Sequence, residues 1–308
     1  MFDPAVRAEI EQAAGRKGTS ATDSGRLTTL GCGGKVAFLI ETGSSESLAA
    51  VMGVAAARGI DWFVIGSGSN LLVADSGWDG LVIRLTGKLK ECTVLADGRL
   101  ECGGGAALPR VATVAAKAGL SGLEALAGIP GTIGGAIAMN AGAWGTAIGD
   151  LTEKVLVCLP GACRTLEADS LEFSYRACEL PVGSVVSRVV LALKPGEPEG
   201  IRAAMKDYRG RRERSQPAGE RTCGSVFRNP PGGEIAGELL DRAGCKGLTI
   251  GGAAVSLTHA NFIVNQGGAA AADIIGLIDE CRARVYRKFG VTLELEVKLL
   301  GDIGLRPL

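Results

Sequence analysis

No stretch of this 308-residue chain is apolar for anything near the ~20 residues that a membrane-spanning helix needs, which argues against an integral membrane protein. The start, Met1-Phe2-Asp3-Pro4, has no basic segment followed by an apolar core, so no secretory leader is expected. An excess of either charge is also missing. The 33 Lys and Arg balance 33 Asp and Glu, which removes the electrostatic case for a nucleic-acid or membrane partner. The nine cysteines include no CxxC pair and no metal-like spacing, so no metal site is expected. Free thiols in a cytoplasmic protein are the reading that remains. Collagen periods, low-complexity runs and long internal repeats are absent as well.

Glycine is what the chain has in excess, 47 residues, about twice the usual share. With no repeat to explain it, that excess means many tight turns and close backbone contacts. The length leaves room for two or three compact domains. Charge is spread unevenly: residues 201–308 carry 16 Lys and Arg against 12 Asp and Glu, and residues 1–200 carry 17 against 21. A net-positive back half suits an anionic small-molecule substrate.

Local patterns give a coarse map. Residues 1–30 are polar with one weak helical stretch, and Lys35–Ile40 reads as a strand. Ser44 and Ser45 cap a helix whose Leu48, Val51, Met52 and Ala55 share a face, closed by Gly59. Strands follow at Trp62–Ile65, Leu81–Leu85 and Arg99–Cys102, then a helix from Pro109 to Gly119. Short strands alternate to Leu193, and Lys194–Gly200, with two prolines and two glycines, reads as a linker. Beyond it the pattern predicts a basic helix Ile201–Ser215. A helix with Ile274, Ile278, Cys281 and Val285 on one face then ends at Gly290, and a final strand spans Val291–Leu300. The class is α+β with at least two domains.

Three stretches carry the chemistry: Gly66-Ser67-Gly68-Ser69-Asn70, Gly128-Ile129-Pro130-Gly131-Thr132-Ile133-Gly134-Gly135, and Cys223-Gly224-Ser225-Val226-Phe227-Arg228-Asn229-Pro230. The first two are glycine clusters of the kind that lets backbone N–H groups close around phosphate oxygens. The dinucleotide fingerprint fails at the first: Leu71 stands where its third glycine belongs, and no helix opens there. The Lys-Ser/Thr pair of a P-loop is absent too. A plain tight turn remains the alternative for that loop.

Seven segments in order resemble the UDP-N-acetylenolpyruvoylglucosamine reductase (UDP-N-acetylmuramate dehydrogenase) family. They are Val64–Val73, Leu126–Gly135, Ala138–Gly145, Phe173–Arg176, the Ser225 segment, His259–Asn265 and Leu293–Val297. The resemblance implies a two-subdomain FAD-binding fold of the vanillyl-alcohol-oxidase type, residues 1–95 and 96–196. A C-terminal α+β substrate-binding domain, 201–308, follows. It implies non-covalent FAD held by Ile65, Gly66, Ser67, Gly68, Ser69 and Asn70, with Ile129, Pro130, Gly131, Thr132, Gly134 and Gly135 lining the diphosphate and flavin. The only histidine, His259, lies outside that part, so no histidyl attachment is expected.

The implied reaction reduces an enolpyruvyl ether to a lactyl ether with NADPH as reductant, in peptidoglycan precursor synthesis. An enol ether is electron-rich and resists hydride, so its carboxylate must be polarised and a proton supplied to the neighbouring carbon. By resemblance Arg176 binds the carboxylate, Ser225 gives the proton, and Glu296 assists. An ionised Glu beside that carboxylate would repel it, so Glu296 is expected to be at least partly protonated in the complex. Tyr175, Arg214, Asn229 and His259 are the implied substrate contacts. Ser225, Arg176, Glu296 and His259 each have a plainer reading: a turn serine, a surface ion pair, a solvated strand carboxylate, and a core or surface imidazole. Cys223 and Ala177-Cys178 depart from the usual family residues without removing a catalytic group. With only Tyr175, Tyr208 and Tyr286, the chain looks like the form lacking an extra tyrosine-bearing loop. Small molecules are the expected partners and a monomer the expected state.

Overall fold

The computed structural model describes residues 2–307, and short strands alternate along it with capped helices. The α+β expectation holds. The chain forms two compact units: Met1–Ser20, Ala37–Ser67 and Gly80–Gly210 make the first, and Ala21–Val36, Gly68–Asp79 and Arg211–Leu308 the second.

A four-stranded sheet has the order Thr19–Asp23, Lys35–Thr42, Trp78–Leu85, Trp62–Ile65, most of its residues belonging to the first unit. The last two run parallel, with Trp62 opposite Leu81 and Ile65 opposite Arg84. Helix Ser45–Ala57 starts in a reciprocal cap, where Ser47 N donates to Ser44 Oγ and Ser44 N to Ser47 Oγ, both at 3.2 Å. Its Leu48, Val51 and Met52 bury against Phe38, Ile40, Leu81 and Ile83 of the sheet. A five-stranded antiparallel sheet follows, ordered Ala162–Glu167, Thr152–Leu159, Val185–Leu191, Leu100–Gly103, Cys92–Val94. Helix Leu108–Lys117 and the short helix Ile133–Ala138 supply its core partners, among them Val111, Ile133 and Ile137.

The second unit holds a four-stranded sheet ordered Arg221–Ser225, Phe262–Asn265, Ala253–Val255, Thr249–Ile250. Helix Ala271–Phe289 buries Ile274, Leu277, Ile278, Cys281 and Val285 in its core, with Leu239 and Leu240 from helix Ala236–Arg242. The long helix begins at Ala270, which has no side-chain oxygen. Asp75 supplies one from a distant part of the chain, accepting from Ala271 N at 2.8 Å and Ala272 N at 2.9 Å. Strand Lys298–Leu300 runs parallel to Leu71–Val73, which directly follows the first glycine cluster.

Four local expectations change. Lys194–Gly200 is not a linker: Lys194–Pro195 pairs with Leu120–Ser121, and one helix runs Pro198–Ser215, because proline is tolerated in a first helical turn. The final strand shrinks to Lys298–Leu300, since Val291–Val297 makes only isolated bonds. Ile133–Ala138 is helical inside the second glycine cluster, capped by Thr132, although its glycines hide any period. Not all thiols are free: Cys158 and Cys163 face each other across an antiparallel pair and form a disulfide, while the other seven cysteines are free. Among the described residues no helix is long and apolar enough to cross a membrane.

Candidate active site

Gly66 and Gly68 shape the first loop by contact. A Cβ on Gly66 would meet Thr132 Oγ1 at 2.5 Å, and one on Gly68, at φ +64°, would meet Leu27 O at 2.1 Å. Neither position admits a side chain. The loop's carbonyls are drawn into the protein: Gly68 O accepts from Thr29 N and Asn70 O from Lys298 N, each at 3.1 Å. Such a loop suits an anion such as a diphosphate.

The second cluster behaves differently. Ile129 N donates to Leu126 O, Ile133 N to Ala106 O, Gly134 N to Gly104 O and Gly135 N to Thr132 Oγ1. With these N–H groups spent, the segment fits a wall along a cofactor better than a second cradle.

Arg176 belongs to the first unit. It sits at the tip of the hairpin Phe173–Ser174 and Ala177–Cys178, at φ +58°, a region costly for a residue other than glycine. Its Nη1 donates to Gly142 O at 3.3 Å, and its guanidinium lies over the Tyr175 ring at 5.3 Å. Asn140 anchors the hairpin: Nδ2 donates to Ser174 O at 2.9 Å while Oδ1 accepts from Gly149 N at 3.1 Å. Asn140 and Trp144 also have positive φ, so three of the four described non-glycine residues in that region share this patch. Trp144 is 48% exposed and stacks on Tyr208, and Tyr175 is 55% exposed. Asn140 and Trp144 lie in the Ala138–Gly145 segment, whose resemblance implies no role for either. A left-handed Asn is the signal that marks the first.

Ser225 belongs to the second unit. It pairs with Phe262 just after a register slip, with Gly224 at φ +77°, and such bulges re-aim side chains. The next residues join Glu296. Val226 O accepts from Glu296 N at 2.8 Å and Val297 N at 3.3 Å, and Arg228 N donates to Glu294 O at 2.9 Å. Asn70 Nδ2 donates to Glu296 O at 3.1 Å. The end of the glycine loop, the serine segment and the glutamate segment are therefore one hydrogen-bonded assembly.

The sequence of this assembled region matches known proteins. Residues 216–300 fit the family model described as UDP-N-acetylenolpyruvoylglucosamine reductase, C-terminal domain, and residues 36–160 fit an FAD binding domain. A UDP-N-acetylenolpyruvoylglucosamine reductase from Heliobacterium modesticaldum is 44% identical over 91% of this chain and 89% of its own. One from Myxococcus xanthus is 40% identical over 97% of both. The chain belongs to the UDP-N-acetylenolpyruvoylglucosamine reductase family. Its fold agrees: the crystal structure of the Thermus caldophilus reductase superposes with a TM-score of 0.80 at 39% identity, covering 91% of this chain and 98% of that one. The family's FAD-binding part comes first and its C-terminal domain second, as the sequence implies.

Within that family frame, the remaining site residues fall in distinct places. Asn229 Oδ1 accepts from Ala236 N at 3.0 Å, at the start of helix Ala236–Arg242, and Arg214 is exposed near the end of helix Pro198–Ser215. His259 packs edge-on against Phe262, and its Nδ1 accepts from Asn261 N at 3.1 Å. Asn261 in turn clamps Phe227, accepting from its N at 2.9 Å and donating to its O at 2.8 Å. His259 thus steadies the strand that carries Ser225. Burial, reinforced by the Lys246 charge, holds its pKa below the ordinary histidine value of 6.5.

Two outcomes follow from this geometry. Because the unfolded chain takes up the His259 proton first, stability is full above pH 6.5 and falls as pH drops toward the lower folded pKa. Melting curves between about pH 5 and 7 should show this slope, and His259→Gln should flatten it; an unchanged slope contradicts the assignment. Asn140→Ala should cost about 2–4 kcal/mol in urea unfolding, and Asn140→Gly, which tolerates the positive φ, about 1 kcal/mol less.

Proposed function

We propose that Arg176, Ser225 and Glu296 carry the reduction of the enolpyruvyl group of UDP-N-acetylglucosamine enolpyruvate to UDP-N-acetylmuramate. As a member of its family the chain is an FAD-dependent oxidoreductase of peptidoglycan precursor synthesis, with NADPH as reductant. In this reading residues 1–95 and 96–196 are FAD-binding subdomains, and 201–308 bind substrate. The protein acts as a cytoplasmic monomer on small molecules, not on nucleic acid or membrane.

FAD would be held by Ile65–Asn70 and lined by Ile129–Gly135. The packing-enforced glycines and inward-drawn carbonyls of the first loop support that fit. When bound, FAD supplies hydride to the substrate's terminal carbon and is restored by NADPH. The chain's own groups make the substrate receptive. Arg176 offers a planar guanidinium that can engage a carboxylate through two N–H groups, and its stack on Tyr175 limits its freedom before substrate arrives. Glu296, acting protonated, donates to the same carboxylate and lets negative charge build there. Ser225 gives its proton to the carbon next to the carboxylate. A hydroxyl is a weak acid, so this transfer is reserved for a strongly basic carbon. Tyr175, Arg214, Asn229 and His259 complete the substrate surface, with Arg214 offering charge to the diphosphate.

The observation that carries this reading is the hydrogen-bonded assembly of Asn70, Val226 and Glu296. Its bonds, two main-chain ones to Val226 O and one from the Asn70 side-chain amide to Glu296 O, support a common register for Ser225 and Glu296. Stopped-flow absorbance tests it, because flavin reduction by NADPH and reoxidation by the enolpyruvyl substrate are separate phases. Ser225→Ala should slow the second phase by about 10²–10⁴-fold and leave the first unchanged. Equal loss in both phases would refute the proton-donor role. Glu296→Gln should keep about tenfold more of the second phase than Glu296→Ala, since an amide still donates where a methyl does not.

A further inference from the structure

The Cys158–Cys163 disulfide plays no part in the chemistry above, and its two sulfurs differ. Cys158 is fully buried in the core of the first unit, whereas Cys163 is exposed beyond the Pro160-Gly161 turn. An open cleft of about 730 Å³ adjoins Cys163, lined also by Ser45, Glu46, Glu101, Gly161 and Arg188. Its charged walls are two carboxylates and one guanidinium. Arg188 is bonded to Glu101 at 3.0 Å, so the lining holds one more carboxylate than cation; the remaining one, Glu46, is held ionised by a hydrogen bond with Ser44 and by the nearby Arg188 and Lys88 charges. We infer that Cys163 is a thiol-exchange site for low-molecular-weight thiols bearing an ammonium group, received in this cleft.

The exchange balances without an added oxidant or reductant. An incoming aminothiolate attacks Cys163 Sγ, a new S–S bond forms to Cys163, and the Cys158–Cys163 bond breaks. Cys158 leaves as a thiolate and takes up a proton. The released thiol has an acceptor waiting, because Ser45 O lies 3.4 Å from Cys158 Sγ. Attack of Cys158 on the mixed disulfide restores the original bond and frees the aminothiol. Among the free cysteines, burial pushes the thiols of Cys32 and Cys178 up to about 11 and that of Cys223 up to about 12, which keeps them protonated and slow. Two other thiols are lowered: Cys245, by a hydrogen bond with Cys281, is fully buried, and Cys92, by one with Cys102, 3.4 Å away across the strand pair, is partly buried and outside the cleft, which makes Cys92 the competitor.

Cystamine, a disulfide with two ammonium groups, is the probe, used on the full-length chain with adducts mapped by peptide mass spectrometry. Denatured, unreduced wild type should titrate seven free thiols of its nine cysteines. Cys158→Ser should accumulate a single stable adduct on Cys163. In prereduced wild type the same adduct should be transient and resolve to the disulfide, and Cys163→Ser should stay unlabelled at buried Cys158. Glu46→Gln should slow the cystamine reaction about threefold and leave the reaction with neutral hydroxyethyl disulfide unchanged. Nine free thiols in the unreduced protein, or first labelling at Cys92, would overturn the proposal. So would anionic oxidised glutathione reacting as fast as cystamine.

Discussion

One main-chain carbonyl, Val226 O, holds the candidate site of the second unit in register. It accepts from both Glu296 N and Val297 N, and through them it ties the segment after Ser225 to the segment carrying the carboxyl group. Asn70 adds the third strand of the knot by donating to Glu296 O, so the end of the glycine loop cannot shift without shifting the glutamate. Each buried bond of this kind contributes only about 1 kcal/mol, but leaving one partner unsatisfied costs more, which makes the set cooperative. Behind it, Asn261 grips both main-chain groups of Phe227 and is itself oriented by His259. The resulting support for Ser225 is several layers deep and joins main-chain groups to the side chains of Asn70, Asn261 and His259.

The first unit solves a different problem. Arg176 is held at a hairpin tip on unfavourable backbone, with its guanidinium over the Tyr175 ring. Asn140 is the compensation, with both ends of its amide used to join the hairpin to the neighbouring loop. Strain and compensation lie side by side in one motif, which accounts for an asparagine where a left-handed turn alone would favour glycine.

Much of the fold was legible because local signals were unambiguous. Trp62–Ile65 was read to the residue, and the helices closed at Gly59, Gly119 and Gly290 because those glycines take left-handed φ. Other features had no local signal. Ile133–Ala138 is too short and glycine-rich to show a helical period, and the alternating residues from Leu293 to Val297 look like a strand while only single bonds hold them. Cys158 and Cys163 are five residues apart, and only the hairpin register makes them neighbours. Recognition of the family drew on ordered motifs spread over the whole chain. The hydrogen bonds that knit Asn70, Val226 and Glu296 are long-range, and only the Asn70 amide among them comes from a side chain, so local sequence does not announce them. Similarly, the engaged N–H groups of the second glycine cluster are invisible in a sequence that merely looks phosphate-like.

The central claim is that this assembly is built by the polypeptide before any ligand arrives. Amide hydrogen exchange of the FAD-free chain, read at Glu296 and Val297, tests it directly. The account predicts that both amides are as protected as the core of the second unit, with little change when FAD is added. Exchange at the rate of an open loop, becoming slow only once FAD binds, would contradict it.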